Sequence, residues 1–191
     1  MVKTALLILI RLGKMKKVKR EDVLDYQTYS EKRDEIRRGV MAIKEVRRLH
    51  VGPNLTFLFE NKHTTLYQVQ EMMRAEQIVK EADIQHEIET YNALLGDAGE
   101  LGCTLLIEIT NEADRAKYLR EWMGLEKHLY LKTDDGEKIY ATYDAKQVGE
   151  DRLSSVQYLS SRWGIKFPPL SGATFLPTAM RRSFRTRNWR H

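Results

Sequence analysis

Leu55-Thr56-Phe57-Leu58-Phe59-Glu60 follows the turn sequence Gly52-Pro53-Asn54, which is itself preceded by a second strand-like stretch at residues 47–51. Two such stretches around a Gly/Pro/Asn turn predict a β-hairpin. Side chains alternate along a strand, so one face of the second strand carries only apolar residues. We expect that face to lie in the core, through Leu55, Phe57 and Phe59.

More strands are predicted downstream of this hairpin. Residues 103–109 form one strongly apolar strand. Residues 128–133 and 138–143 flank Asp134-Asp135-Gly136-Glu137, a pattern typical of a second hairpin. A last short strand is expected at residues 155–159. About six strands, joined by tight turns and separated by helices, predict an α+β fold with a mainly antiparallel sheet.

Two helices flank a third, central one. Thr28 with Glu31 forms a capping box, which predicts a helix that starts there and ends near Val46. Asn111 is a typical helix N-cap, and Gly124 is a typical residue just past a helix end. The second flanking helix is therefore expected between these two residues.

The long central helix is expected to start at a second capping box, formed by Thr65 with Gln68. Its apolar phase changes near Asp83, which predicts a kink or break, and a loop follows at residues 96–102. Polar residues recur along this helix at spacings of three and four. Such a stripe is either a solvated face or a polar binding surface. Its members are Tyr67, Gln70, Arg74, Gln77 and Glu81.

Glu76 is the unusual residue of this helix, because on a helical wheel it falls inside the apolar sector. Burial of a carboxylate costs free energy unless the charge is paired. Two interpretations follow: Glu76 forms an ion pair with an arginine, or it lines a functional cleft. The candidate arginines are Arg37, Arg38, Arg47 and Arg48.

The sequence gives little support for a disulfide, a metal site or a phosphate-binding loop. The single cysteine, Cys103, excludes an internal disulfide and a cysteine-rich metal site, and its apolar surroundings are typical of a small core residue. Glu60 with His63, and Asp83 with His86, have the spacing of di-iron ligands but lack the long helices that such sites use. No Gly-rich phosphate loop follows a strand. We expect no metal and no cofactor.

Charge divides the 191-residue chain into three parts, although the total is only +5. Residues 1–20 hold seven Lys or Arg and no acid, and residues 160–191 again hold seven and none. The middle, residues 21–159, holds 18 basic and 27 acidic residues, a net of −9. Because phosphate would be repelled by most of that middle part, specific nucleic-acid binding by the body is not expected.

The domain organisation follows these charge boundaries. Residues 15–159 are expected to form one α+β domain of a soluble, cytoplasmic protein. Residues 1–14 are interpreted as an extension, disordered or due to a misplaced start codon; their apolar run is six residues long, whereas a membrane span needs about 20. Residues 160–191 are interpreted as a basic tail, disordered or altered in reading frame.

Two stretches, Phe57-Leu58-Phe59-Glu60-Asn61 and Tyr67-Gln68-Val69-Gln70-Glu71-Met72-Met73-Arg74-Ala75-Glu76, resemble a bacterial family known only as domain of unknown function 3501. Thr65, Glu87, Glu89, Tyr91-Asn92-Ala93-Leu94-Leu95 and Leu106-Ile107-Glu108 extend the resemblance, which covers about residues 16–159. It implies no catalytic role. It does imply rubrerythrin-like and iron–sulfur oxidoreductase companions in gene neighbourhoods, an association only.

Three functions remain open, and the sequence leaves both enzymatic activity and oligomeric state undecided. The first is a non-enzymatic accessory or binding protein whose partner is a redox or iron–sulfur protein, with no role for a membrane. The second is a small-molecule-binding protein or enzyme with a polar cleft around Glu60, Glu71 and Arg74. The third is RNA or anionic-membrane binding through the basic termini. The candidate binding residues are Glu60, Tyr67, Gln70, Glu71, Arg74 and Glu76.

Overall fold

The computed structural model describes residues 16–97, 100–132, 137–145 and 148–162, and it has an α+β architecture. The α-helices in these residues are α1 (Tyr26–Glu45), α2 (Lys62–Ala75), α3 (Glu81–Asn92) and α4 (Glu112–Glu121). The strands are β1 (Arg48–Val51), β2 (Leu55–Phe59), β3 (Glu100–Ile107), β4 (Tyr130–Lys132), β5 (Lys138–Tyr140), β6 (Thr142–Tyr143) and β7 (Val156–Arg162). Short 3-10 helices lie at Arg20–Asp22, Ala93–Leu95 and Leu125–His128.

The main sheet has five strands in the order β1-β2-β3-β7-β6, and every neighbouring pair is antiparallel. β4 and β5 form a separate antiparallel pair. The mainly antiparallel α+β prediction is therefore confirmed. Seven strands replace the expected six because residues 138–143 are divided: β5 pairs with β4, whereas β6 pairs with β7.

The first hairpin is confirmed in position and in register. β1 and β2 pair from Arg48 opposite Leu58 to Val51 opposite Leu55, and Gly52 adopts the left-handed φ of 64° in the turn. One face of β2 is buried as expected and packs with apolar residues of β3 and β7. The core on this face includes Leu55, Phe57, Phe59, Leu101, Cys103, Leu105, Ile107 and Leu159.

Two of the three expected helix starts are wrong by a few residues. Asp25, not Thr28, caps α1, because its carboxylate accepts hydrogen bonds from both the amide and the hydroxyl of Thr28. Asn61, not Thr65, caps α2, because Asn61 and Thr64 satisfy each other's amides as a capping box. The N-cap expected at Asn111 is confirmed for α4.

The expected long central helix is divided in two. α2 ends at Ala75, Gln77 adopts a positive φ of 55°, and α3 starts at Glu81, so the break lies a few residues before the kink or break expected near Asp83. The break lets α3 fold back beside α2 and build a second core with the segment before α1. That core contains Val18, Val23, Val69, Met73, Ile84, Ile88 and Tyr91.

The sheet is longer than expected at both of its central strands. β3 starts at Glu100, inside the loop expected at residues 96–102, and β7 runs on through Arg162, three residues past the strand end expected at residue 159. The remaining parts of the expected extension and basic tail, residues 1–14 and 163–191, lie outside the described residues. None of the helices described is both long and apolar enough to cross a membrane.

Candidate functional site

A charged network between α1 and α2 contains the most polar part of the sequence motif. The Glu71 carboxylate on α2 accepts two hydrogen bonds from the Arg33 guanidinium on α1, each of 2.7 Å. The Tyr29 hydroxyl, one turn earlier on α1, donates a third at 2.6 Å. A paired, bidentate geometry of this kind is among the stronger polar contacts in proteins. Glu71 therefore fixes α1 against α2.

The ionisation of Glu71 reflects these partners. The Arg33 hydrogen bonds, together with the Tyr29 hydroxyl, lower the pKa of Glu71 to about 2, although partial burial acts in the opposite direction. Burial, followed by the bond to Glu71, raises the pKa of the Tyr29 phenol. Glu71 is therefore a carboxylate, and Tyr29 a neutral donor, throughout the neutral pH range.

Tyr67 and Lys44 continue this network toward the sheet. Tyr67 is buried on α2, and burial, followed by the charge of Glu71, raises the pKa of its phenol. The Lys44 ammonium on α1 lies 5.1 Å from the centre of the Tyr67 ring, within the range of a cation–π contact. Burial lowers the pKa of Lys44, while the charges of Glu60 and Glu71 act in the opposite direction. Lys44 thus lies within electrostatic range of both carboxylates.

Glu60 is buried where β2 meets α2. Its two oxygens accept hydrogen bonds from the hydroxyls of Thr64 at 2.5 Å and Thr104 at 2.6 Å. Arg47 is also buried here, and it donates to the carbonyl oxygens of Phe59 and Glu60 at 2.6 and 3.0 Å. Because burial lowers the pKa of Arg47, the nearby Glu60 charge is its main electrostatic compensation.

Gln70 faces a different element, the segment that leads into α1. Its side-chain oxygen accepts from the Leu24 amide at 2.9 Å, and its side-chain nitrogen donates to the Leu24 carbonyl at 3.1 Å. Gln70 is buried, so these two bonds satisfy polar groups that would otherwise lose water. The segment is held further along by Asn92, which bonds in the same two-point way to the backbone of Val18.

Four of the six candidate residues are buried or half-buried, namely Glu60, Tyr67, Gln70 and Glu71. Glu71 bonds to α1, whereas Gln70 bonds to the segment at Leu24 and Glu60 to Thr64 and Thr104, so the structure does not bring them together in one cleft. The solvated-face interpretation is wrong for Tyr67 and Gln70. Arg74 is exposed on α2.

The buried position expected for Glu76 is also wrong. α2 ends one residue before it, so Glu76 is the exposed C-cap and no longer follows the helical wheel. Its expected ion pair with a buried arginine is not formed by Arg47, which instead bonds to main-chain carbonyl oxygens. A free Cys103 in the core is confirmed, because the side chain is buried between strands.

Three residues of the network lie on α1 and were not among the residues predicted from the sequence: Tyr29, Arg33 and Lys44. Tyr29 and Arg33 lie one turn apart, and Lys44 lies three turns further on the same helix. That spacing was available as a signal, but α1 carries charged residues on most of its surface. Only the partner positions on α2 show which of them face inward.

The described part of the chain does not bring the expected metal-ligand pairs together into a site. His63 is exposed, whereas Glu60, three residues earlier, is turned toward Thr64 and Thr104. Across the described ranges no three His, Cys, Asp or Glu side chains are grouped closely enough to hold an ion.

An open groove of about 420 Å³ lies along α1. Its apolar lining comes from Ile36, Gly39, Val40 and Ile43, and Lys32 and Glu35 border it. No other atom of the described chain lies within 4 Å of the position that a Cβ would take at Gly39. This groove is separate from the Glu60 cluster.

Comparison with known proteins gives relatives but no activity. A search of curated proteins found no match. A solved structure described as a novel protein of unknown function from Burkholderia pseudomallei is 32% identical, has a TM-score of 0.73 and covers 78% of each chain. A family model described as protein of unknown function (DUF3501) matches residues 17–166, which is most of the chain. The expected resemblance is confirmed, and the chain belongs to the DUF3501 family.

Proposed function

We propose that the protein is a cytoplasmic, non-enzymatic accessory protein that works by binding a partner protein. The observation that carries this proposal is the use of the motif's polar side chains inside the fold. Glu71 holds α1, Gln70 holds the segment at Leu24, and two threonine hydroxyls enclose Glu60. Side chains engaged in this way hold the fold together and leave few polar groups to act on a substrate.

The ionisation of Glu71 favours binding over catalysis. A general acid or base works best when its pKa lies near the operating pH. The pKa of Glu71 is held at about 2 by Arg33 and Tyr29, so this carboxylate does not exchange protons at neutral pH. Anchoring α1 is the role that fits it.

The groove along α1 supports contact with another protein. Its lining is mainly apolar, and Gly39 in its wall lets another backbone come close. We further propose that the partner is a redox or iron–sulfur protein of the rubrerythrin-like or iron–sulfur oxidoreductase kind. That choice rests on the gene-neighbourhood companions that the family resemblance implies.

The test is capture of the partner by the full-length protein, cross-linked in cells that keep an intact chromosomal copy. We expect a rubrerythrin-like or iron–sulfur protein to be recovered and then to co-elute with the purified protein. Gly39→Arg should abolish capture, because the new side chain occupies the groove without displacing its own core. Ala42→Arg adds the same charge at another exposed position of α1 and should retain capture.

Two results would count against the proposal. One is recovery of no redox or iron–sulfur protein by the unaltered chain. The other is equal capture by the unaltered chain and by Gly39→Arg, with circular dichroism showing that both are folded.

A further inference from the structure

A second cavity, of about 330 Å³, lies where β3 ends and α4 begins. Its lining consists of two apolar, two hydroxyl and two charged residues: Ile107, Glu108, Ile109, Thr110, Arg115 and Ser155. Ligand sites usually measure about 300–1,000 Å³, so this cavity has room for a small molecule only. None of the lining residues belongs to the α1–α2 network or to the groove along α1. The function proposed above therefore does not use this cavity.

Glu108 is held at the cavity by a chain of hydrogen bonds that crosses β1 and β2. The Thr56 hydroxyl on β2 donates to Oε2 of Glu108 at 2.5 Å. A hydroxyl carries one hydrogen, so the same group accepts from Nδ1 of His50 on β1, at 2.8 Å. Thr56 is buried beneath the two exposed side chains that it joins. These bonds fix the carboxylate through one oxygen. Within the described part of the chain, its other oxygen, Oε1, accepts no hydrogen bond.

Arg115, on the first turn of α4, lines the same cavity and is half-buried. Its Nη1 donates to the carbonyl oxygen of Ile109 at 3.2 Å, which holds the guanidinium beside the end of β3. A guanidinium has five N–H donors, so most of them remain for another acceptor. Of the residues that the structure describes, none places an opposite charge within 4.0 Å of Arg115 or of Glu108.

Glu108 and Arg115 thus carry opposite charges, line one cavity and do not form an ion pair with each other. A ligand that carries one positive and one negative group would satisfy both side chains. A ligand with a single charge would leave one of them unpaired, and it would therefore bind less well. Because hydrogen bonds to the sheet already hold both side chains, binding would cost little additional ordering.

We propose that this cavity binds a small zwitterion of the α-amino acid class. Its ammonium group would donate to Oε1 of Glu108, and its carboxylate would accept from the guanidinium of Arg115. The guanidinium suits that role because its paired donors match the two oxygens of a carboxylate. Thr56 and His50 act as positioning residues, since they orient Glu108 without lining the cavity. The accessory role proposed above does not depend on this site.

Titration of the full-length protein with L-alanine and with L-serine tests the site. Binding is followed at pH 7 and constant ionic strength by calorimetry and by chemical-shift changes of the main-chain amides around Glu108 and Arg115. We expect at least one of the two amino acids to bind saturably below about 20 mM. Its N-acetyl derivative lacks the ammonium group, and its amide derivative lacks the carboxylate. Each derivative should bind about tenfold or more weakly.

Two variants remove one charge each. Glu108→Gln abolishes the negative charge, while the glutamine oxygen can still accept from Thr56. Arg115→Gln removes the guanidinium. Each should weaken binding about tenfold or more, as expected for loss of a charge-assisted hydrogen bond. Arg120→Gln is the matched control, because Arg120 is an exposed arginine of α4 that does not line the cavity. It should bind the probe as the unaltered chain does.

Preference for the zwitterion over both derivatives, lost in the two cavity variants, would support the proposal. Equal binding of either derivative would show that one charge is enough and would overturn it. Absence of saturable binding of both amino acids would overturn it too, as would equal weakening by Arg120→Gln. If circular dichroism shows that Arg115→Gln does not fold, Glu108→Gln decides the matter, because it changes an exposed side chain.

Discussion

Arg33 and Glu71 form a two-point contact across the α1–α2 boundary, with both nitrogen–oxygen distances at 2.7 Å. Tyr29 adds a third bond to the same carboxylate from the same helix. α1 contacts α2 more extensively than any other described element, so this cluster lies at its main attachment to the fold. The position of α1, and of the groove along it, therefore depends on Glu71.

Glu71→Gln should destabilise the protein at neutral pH, and the effect should depend on pH. The pKa of Glu71 is about 2 in the folded protein and near 4.5 when unfolded, so its stabilising contribution is present above about pH 5. It is lost as the pH falls from about 5 to 2. Urea unfolding at pH 7 and pH 3 should therefore show a smaller difference between the two proteins at pH 3.

Tyr29→Phe is the companion variant, because it removes one hydrogen bond and leaves the charge pair in place. Its cost should be about 1 kcal/mol and nearly constant over the same pH range. An equal difference between Glu71→Gln and the unaltered chain at both pH values would contradict the assigned role of this carboxylate.

Gln70→Ala should loosen the segment before α1. The variant leaves the Leu24 amide and carbonyl unsatisfied inside the fold, so we expect a loss of about 1–3 kcal/mol in urea unfolding. Hydrogen exchange at the Leu24 amide should become faster. Gln68→Ala is the matched control, because Gln68 is exposed on the same helix, and it should change stability by less than about 0.5 kcal/mol. Similar effects of the two substitutions would show that the hydrogen bonds between Gln70 and Leu24 contribute little to stability.

Gly102→Ala and Gly39→Ala should have opposite effects. A Cβ at Gly102 would overlap the carbonyl oxygen of Leu94, because the Ala93–Leu95 turn lies directly on β3. Main-chain atoms have little room to move, so we expect a loss of about 3 kcal/mol or failure to fold. Gly39 has open space around it within α1, and alanine there should stabilise the protein by about 0.5–1 kcal/mol. Thermal unfolding of both variants measures the difference, and a neutral Gly102→Ala would contradict the close packing.

The hairpin at Gly52 could be predicted because its signals are local. The apolar face of residues 55–59 and the turn residues before it act within a few positions, and the structure has the hairpin in the expected place, with both faces of β2 buried. The position of the break, directly after Ala75, could not be predicted from local signals. It depends on how α3 packs back onto Val18 and Val23, which lie in a distant segment. The early start of β3 at Glu100 likewise depends on a distant segment, because Glu100 pairs with Arg162 of β7.

The sequence predicted the α2 residues of the site but not their partners on α1. The motif on α2 indicated Tyr67, Gln70 and Glu71, and the structure finds all three at the α1–α2 contact or the adjoining segment. Their partners could not be chosen from the sequence, because α1 offers nine charged residues and a helical wheel does not show which face meets α2. The position of Glu76 was mispredicted because the helical wheel assumed that the helix continues through this residue. The helix ends one residue earlier, at Ala75.

The rate at which the Cys103 thiol is labelled measures how well the core around β3 is protected from solvent. The thiol is buried on β3, and burial, together with the charge of Glu60, raises its pKa well above the usual range. Both effects suppress reaction with thiol reagents, which require the thiolate. We expect labelling of the native protein at pH 8 to be at least about a thousandfold slower than labelling in urea, since exposure requires unfolding with a free energy of several kcal/mol.

As the chain has one cysteine, each labelled molecule reports this position, and Cys103→Ala gives the background. Gly102→Ala should accelerate labelling in proportion to its loss of stability. Complete labelling of the unaltered protein within seconds would contradict the buried position of β3.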